Sequence, residues 1–259
     1  MLAELMAGAA EDAAARRAQR PLEDLEAAAL AAPPALDAVA ALTADPTRVK
    51  VLAEVKRASP SRGAMAEIPD PAALAARYAA AGAAAISVLT EQRRFRGSLA
   101  DLQAVRAVVD VPVLRKDFVS TAYQVLEARA AGADLVLLIV AALGDEALAS
   151  LARLIGDLGM TPLVETHDER ELDRALAMGA RIVGVNARDL DTFALDRDLF
   201  GRLAPRIPDG VVRVAESAVR TPDDVAAYRA AGADVVLVGE ALVTGDPETL
   251  IASFTKAGS

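Results

Sequence analysis

Ala130-Ala131-Gly132-Ala133-Asp134-Leu135-Val136-Leu137-Leu138 joins an alanine-rich segment to an aliphatic run through a single glycine. The pattern recurs at 80–88 around Gly82, at 177–185 around Gly179 and at 230–238 around Gly232. Successive glycines are 50, 47 and 53 residues apart. Glycine just past a helix end supplies the positive φ that stops the helix. The aliphatic run after it has the composition of a parallel strand covered on both faces. Between neighbouring copies there is room for one further strand and one further helix. Four copies of a two-strand unit make eight strands, the number a closed barrel requires. The length, 259 residues, suits one barrel of about 250 residues. The expectation is an α/β fold: a (β/α)8 TIM barrel with an extra N-terminal helix or helices, in one domain over 1–259.

The strands expected are Val51–Lys56, Ala85–Leu89, Val113–Arg115, Leu135–Val140, Leu163–Glu165, Ile182–Asn186, Val212–Glu216 and Val235–Val238. Helices fall between them at about 71–81, 99–108, 121–131, 145–158, 168–178, 196–204 and 222–231, and a last one spans about 247–256. Asp70-Pro71, Thr221-Pro222 and Asp246-Pro247 read as capped helix starts. Residues 1–45 are rich in alanine, arginine and glutamate, with breaks at Pro21 and Pro33-Pro34. They predict one or two leading helices, because Leu22, Leu25, Leu30 and Leu36 want a surface to cover.

Composition narrows the function. Aromatic residues are 3% of the chain and tryptophan is absent, so the core is aliphatic. With no cysteine, thiolate nucleophiles, disulfides and cysteine metal sites are excluded. A formal net charge of −9 disfavours general nucleic-acid binding, since the chain repels a phosphate backbone. The first ten residues carry no basic n-region, and no apolar run approaches the roughly 18 residues that span a membrane. A cytoplasmic protein that does not bind membranes is expected.

Five of the eight strands end in charged or amide side chains: Glu54 and Lys56, Lys116, Glu165, Asn186, and Glu216 with Ser217. A strand core does not tolerate unpaired charge. Polar tips at the same end of successive strands therefore point to one pocket at the C-terminal mouth, where barrel enzymes keep their chemistry. Glu54 and Lys56 are two apart and share one strand face. They could pair, or each could move a proton; a buried ion pair beside a turn is an equal alternative. Ser59 and Ser61 flank Pro60 in the loop that follows. Arg115 and Asp117 should point out of the barrel, which turns Lys116 inward as a proton donor or Schiff-base lysine. A solvated charge cluster is the plainer reading. Glu165 could act as a base or stabilise a cation, and Asn186 could hold a substrate hydroxyl. The loops around Glu216-Ser217-Ala218 and Gly239-Glu240 sit where such barrels often bind phosphate. His167, the one histidine, reads as a loop or cap residue. No ligand cluster suggests a metal.

Together, AEVKRASPS (53–61), TEQRRFRGS (90–98), LRKDF (114–118), LVETH (163–167), GVNARDL (184–190), AESAV (215–219) and LVGEALV (237–243) resemble the indole-3-glycerol-phosphate synthases of tryptophan biosynthesis, in family order. The likeness covers about residues 48–245. It implies a carboxy-lyase, without cofactor or metal, that turns 1-(2-carboxyphenylamino)-1-deoxyribulose 5-phosphate into indole-3-glycerol phosphate, carbon dioxide and water. It implies Lys116 as the general acid, Lys56 as the binder of the anthranilate carboxylate, Glu54 as its acid–base partner and Glu165 as the stabiliser of charge at the anilino nitrogen. Asn186 and Ser217 would orient substrate, with Glu216 supporting. Ser59, Ala218, Gly239 and Glu240 would cradle the phosphate, with Arg188 in the binding set. Phe95 and Phe118 would meet the aromatic ring. A small phosphorylated substrate and a monomer follow from the same likeness. Two positions depart from the family pattern: alanine stands at Ala218 where glycine is usual, and at Ala187 where a polar residue is common. If position 218 needs positive φ, alanine there is strained.

Overall fold

Eight parallel strands close into a barrel in the computed structural model, which describes residues 1–60 and 63–258. Ser61 lies outside the described residues. The strands are β1 (Lys50–Val55), β2 (Ala85–Leu89), β3 (Val113–Lys116), β4 (Leu135–Ile139), β5 (Thr161–Thr166), β6 (Ile182–Asn186), β7 (Val212–Glu216) and β8 (Val235–Val238). Each pairs with its sequence neighbour, and β8 pairs with β1 to close the ring. The four repeated glycines stand at positive φ, between 80° and 99°, directly before β2, β4, β6 and β8.

Around the strands run α4 (Pro71–Ala80), α5 (Leu99–Arg106), α6 (Ala122–Ala130), α7 (Asp145–Asp157), α8 (Glu169–Ala177), α9 (Leu199–Leu203), α10 (Pro222–Ala230), α11 (Glu240–Thr244) and α12 (Pro247–Ala257). The expected caps form: the side chains of Asp70, Thr221 and Asp246 accept from Ala73, Asp224 and Thr249 N–H. Several boundaries differ from expectation. β3 extends to Lys116, and β4 stops at Ile139 because Val140–Ala142 turns into a 3-10 helix. The helix expected from 196 starts at Leu199. Asp196 instead takes the Asp198 N–H on its own carboxylate at 3.1 Å, a local turn that competes with helix.

Three leading helices form rather than one or two: α1 (Leu2–Gln19), α2 (Leu22–Ala31) and α3 (Ala38–Thr43). Pro21 separates the first pair, and Asp37 caps the third by accepting Ala40 N–H at 3.0 Å. Leu25 is buried against Tyr123 and Leu126 of α6. Leu30 covers little, at 78% exposed, and Leu36 is partly exposed, at 38%. Ala38 and Leu42 of α3 join Leu52, Ala85, Leu114 and Leu135 in the barrel's inner cluster. Leu36 N–H donates to Asp134, just before β4, at 2.7 Å. The third helix therefore closes the N-terminal end of the barrel, and the opposite end is left open for the polar strand tips. Among the described residues no helix is long and apolar enough to cross a membrane.

Candidate active site

Side chains alternate along a strand, so Leu52 and Glu54 of β1 both face inward, and Lys56 follows at the rim. Lys56 Nζ lies 2.5 Å from Glu54 Oε1. The pair fits because Gly239 follows β8: a Cβ there would stand 2.5 Å from Glu54 Oε1 and 3.1 Å from Lys56 Nζ.

On β3 the alternation is anchored from outside the barrel. Arg115 is fully buried and donates to Asp117 at 2.8 Å and to the Gln124 carbonyl at 2.6 Å, with Glu127 at 3.4 Å. Arg16 of α1 donates to that same Glu127 at 2.9 Å. The charges flanking Lys116 thus form a buried ion ladder rather than a solvated cluster. With Arg115 held outward, Lys116 turns in. Its Nζ is 3.0 Å from Glu165 Oε2 and 3.0 Å from Glu216 Oε2.

One ammonium between two buried carboxylates cannot neutralise both. Burial opposes charge on Lys116, but Glu165, Glu216 and Glu54 outweigh it, so its proton affinity rises and it stays charged. Burial also opposes charge on Glu165, yet Lys116 and His167 hold it well below the ordinary glutamate range. Glu216 goes the other way. Burial and the neighbouring Glu165 outweigh Lys116 and push it up to about 8. Its Oε1 has no hydrogen-bond partner and sits over Gly184, where any Cβ would collide with it.

Asn186 and Ser217 meet directly across β6 and β7. Ser217 Oγ donates to Asn186 Oδ1 at 2.8 Å, and Arg188 N–H donates to the same oxygen at 3.1 Å. The amide N–H pair is then what Asn186 has left to offer a ligand. Ser217 and Ala218 both adopt positive φ, 69° and 61°. The strain anticipated for alanine at position 218 is real.

All the site residues expected from sequence line one cavity, open at the strand C-termini. Ser59, Ala218, Gly239 and Glu240 come from the neighbouring β1, β7 and β8 tips, and Arg188 follows β6. Phe95 and Phe118 form an aromatic wall on the β2–β3 side, ring centroids 6.0 Å apart. Phe95 is held there by Glu91, which is buried and accepts the N–H groups of Arg93, Arg94 and Phe95 at 2.7–2.9 Å. Reading the sequence missed several lining residues: Leu5 of α1, Met65, Leu190, Phe193 and Arg220. The apolar ones carry no chemical signature. Arg220 does, as the cation in the loop after β7; its Nη2 lies 3.5 Å from Glu240.

His167 is more than a loop residue. Its ring is 13% exposed, with Nδ1 3.1 Å from Glu171 Oε2 and Nε2 3.3 Å from Glu165 Oε1. Burial disfavours the imidazolium, but the two carboxylates more than offset it and push the histidine up to about 10.

The chain matches the family model for indole-3-glycerol phosphate synthase over residues 2–254. A protein of that name from Leifsonia xyli is 68% identical, covering 98% of this chain and 97% of its own length. Another of that name, from Streptomyces griseus, is 58% identical, covering 100% of this chain and 96% of its own. Among solved structures, N-acetylmannosamine-6-phosphate 2-epimerase from Clostridium perfringens matches with a TM-score of 0.61 at 16% identity, covering 83% of this chain and 95% of that one. Thiamine phosphate pyrophosphorylase from Pyrococcus furiosus does so with a TM-score of 0.61 at 15% identity, covering 82% and 96%. Those two share the barrel fold alone.

Proposed function

This chain belongs to the indole-3-glycerol phosphate synthase family, carboxy-lyases of tryptophan biosynthesis, and we propose that its strand-tip cluster closes the indole ring of 1-(2-carboxyphenylamino)-1-deoxyribulose 5-phosphate. The observation that carries the residue roles is the convergence of Lys116, Glu165 and Glu216 within 3.0 Å contacts, in the cavity that also holds the Glu54–Lys56 pair.

The aromatic carbon bearing the carboxylate attacks the substrate carbonyl, and a carbon–carbon bond forms. Negative charge develops on the carbonyl oxygen. Lys116 is the ammonium for that oxygen: its raised proton affinity keeps it charged at neutral pH, and it yields the proton only to a strong base such as the nascent alkoxide. Glu165, held ionised, offsets positive charge on the anilino nitrogen and ring. Lys56 binds the carboxylate until it departs as carbon dioxide, which restores the aromatic ring. Glu54, paired with Lys56, then serves the last step. The hydroxyl leaves as water and a proton leaves the carbon beside nitrogen, giving the indole. Asn186 and Ser217 hold the glycerol hydroxyls. Ser59, Ala218, Gly239 and Glu240 surround the phosphate, with Arg188 beside them. The Phe95–Phe118 wall suits an aromatic ring. A net charge of −9 makes these local cations necessary for a substrate carrying both a carboxylate and a phosphate.

The same reading carries a cytoplasmic, single-domain monomer that acts on a free small molecule without cofactor or metal. The direct test is incubation with the carboxyphenylamino deoxyribulose phosphate while following indole fluorescence. The native protein should generate signal, and Lys116→Ala should lose about 10²–10⁴-fold in kcat, the usual worth of a general acid, while staying folded by circular dichroism. Silence from native protein at micromolar concentration rejects the activity. Near-normal turnover by Lys116→Ala rejects the acid role.

A further inference from the structure

His167 has no part in the chemistry above, yet it is buried against the catalytic cluster. Glu165 has two oxygens: Oε2 faces Lys116 at 3.0 Å and Oε1 faces His167 Nε2 at 3.3 Å. The latter contact is close enough for charge attraction, although Nε2 lacks an aligned acceptor. On the far side of the ring, Glu171 Oε2 accepts the His167 backbone N–H at 2.8 Å and faces Nδ1 at 3.1 Å. Glu171 lies in the first turn of α8, and its own N–H donates to the capping Asp168 at 2.7 Å. The ring is therefore clamped from a rigid helix start.

Both ring nitrogens face carboxylate oxygens. A neutral imidazole has one N–H and could serve only one of them. The imidazolium sets positive charge beside both, through the Nδ1 hydrogen bond to Glu171 and through charge attraction from Nε2 to Glu165. The other groups acting on this cluster are Asp189, from the loop after β6, whose charge is further favoured by His167, and Lys116 and Glu216, which reach it through Glu165. Glu165 and Glu216 stand in nearly the same relation to Lys116, with matching distances of 3.0 Å. What distinguishes them is the second neighbour. Glu165 has the His167 ring at its other oxygen; the other oxygen of Glu216 has no hydrogen-bond partner and lies over Gly184.

We propose that His167 is a positioning residue of this site: its imidazolium, clamped between Glu171 and Glu165, keeps Glu165 the ionised acid and leaves Glu216 the protonated one beside Lys116. The inference rests on the catalytic reading above only for its kinetic test. Glu165 needs its charge to meet the cationic ring. A proton that moved from Glu216 to Glu165 would cancel that charge without displacing any atom of the fold.

The experiment has two arms. Because His167 is the sole histidine, proton NMR of the native protein shows one pair of carbon-bound imidazole signals. They should stay at the protonated position well above pH 8. A midpoint near 6.5 overturns the proposal, whatever the substrate. In the second arm, kcat and KM are measured against pH for native protein and His167→Gln. Loss of one cation should move the acid limb of kcat upward by about one pH unit, a tenfold change in the balance between protonation states. At neutral pH, where Glu165 stays ionised in both proteins, kcat and KM should each change under about threefold, so the effect is confined to the acid limb. An unchanged kcat profile in a folded His167→Gln protein overturns the proposal. Should that variant not fold, Glu171→Gln tests the same clamp: it should lower the imidazole midpoint and raise the acid limb, and no change in either is again fatal. Inactive native protein would reject the catalytic reading instead, and the NMR titration still decides this one.

Discussion

At the residue scale, glycines at the mouth decide where charge sits. Gly184 faces Glu165 across the β5–β6 register, and its missing side chain is the space that Glu216 occupies. Gly184→Ala should push the Glu216 carboxylate off Lys116. A misplacement of about 1 Å in such a cluster is worth about 10²-fold in kcat, so steady-state kinetics should show a loss of that order in a protein that still melts cooperatively. Ala218 is a different case. Its φ of 61° costs alanine about 1–2 kcal/mol, whereas glycine there would loosen the unfolded chain by about 0.4–1 kcal/mol. The first effect is larger. Ala218→Gly should therefore stabilise the protein by up to about 1 kcal/mol, read from urea unfolding.

The raised Glu216 gives a pH signature opposite to that of most carboxylates. Its pKa in the fold, about 8, lies above the ordinary 4.5, so its contribution is fully present below 4.5 and is lost as pH rises through 8. Glu216→Gln mimics the protonated acid and has nothing to lose. The native melting temperature should decline relative to that variant between about pH 4.5 and 8; parallel curves would contradict the assignment. These site residues were legible because charge at a strand tip is conspicuous. Gly184 and His167 were not. A glycine shows no function until the group above it is known, and a histidine beside acids reads as a cap until both carboxylates are seen to converge on its ring.

At the scale of elements, the eight strands could be read because aliphatic runs after glycine have one simple physical meaning. Features shorter than one period could not. The two-residue pairing of Ala58–Ser59 with Gly63–Ala64, the six residues of α3 and the postponed start of α9 depend on local hydrogen bonds rather than on a repeating apolar face. The outward ladder of β3 was legible only in direction: alternation turned Arg115 away from Lys116, but nothing in the sequence named Glu127 and Arg16 as its continuation. Glu127→Ala would leave the buried Arg115 short of a counter-charge and release Arg16 from α6. A cost of about 3 kcal/mol is expected, the lower end for breaking a buried pair, because Asp117 still compensates Arg115. The urea midpoint measures it.

At the scale of the whole molecule, the leading segment touches the barrel at both ends. Leu5 of α1 lines the open mouth, and Leu42 of α3 is buried in the inner cluster at the base. Leu42→Ala should cost about 2–4 kcal/mol through the lost methyl groups and the cavity left behind, while kcat stays near native, since Leu42 is buried in the apolar cluster at the end opposite the strand tips. A thermal melt beside an activity assay separates the two effects.

One continuous stretch of about forty residues is thus both the lip and the floor of the vessel. Whatever fills the upper opening presses on the same thread that stoppers the lower one. Deuterium uptake should register this: with phosphorylated ligand bound, amides of residues 38–43 should exchange more slowly, although they lie at the far pole from the guest.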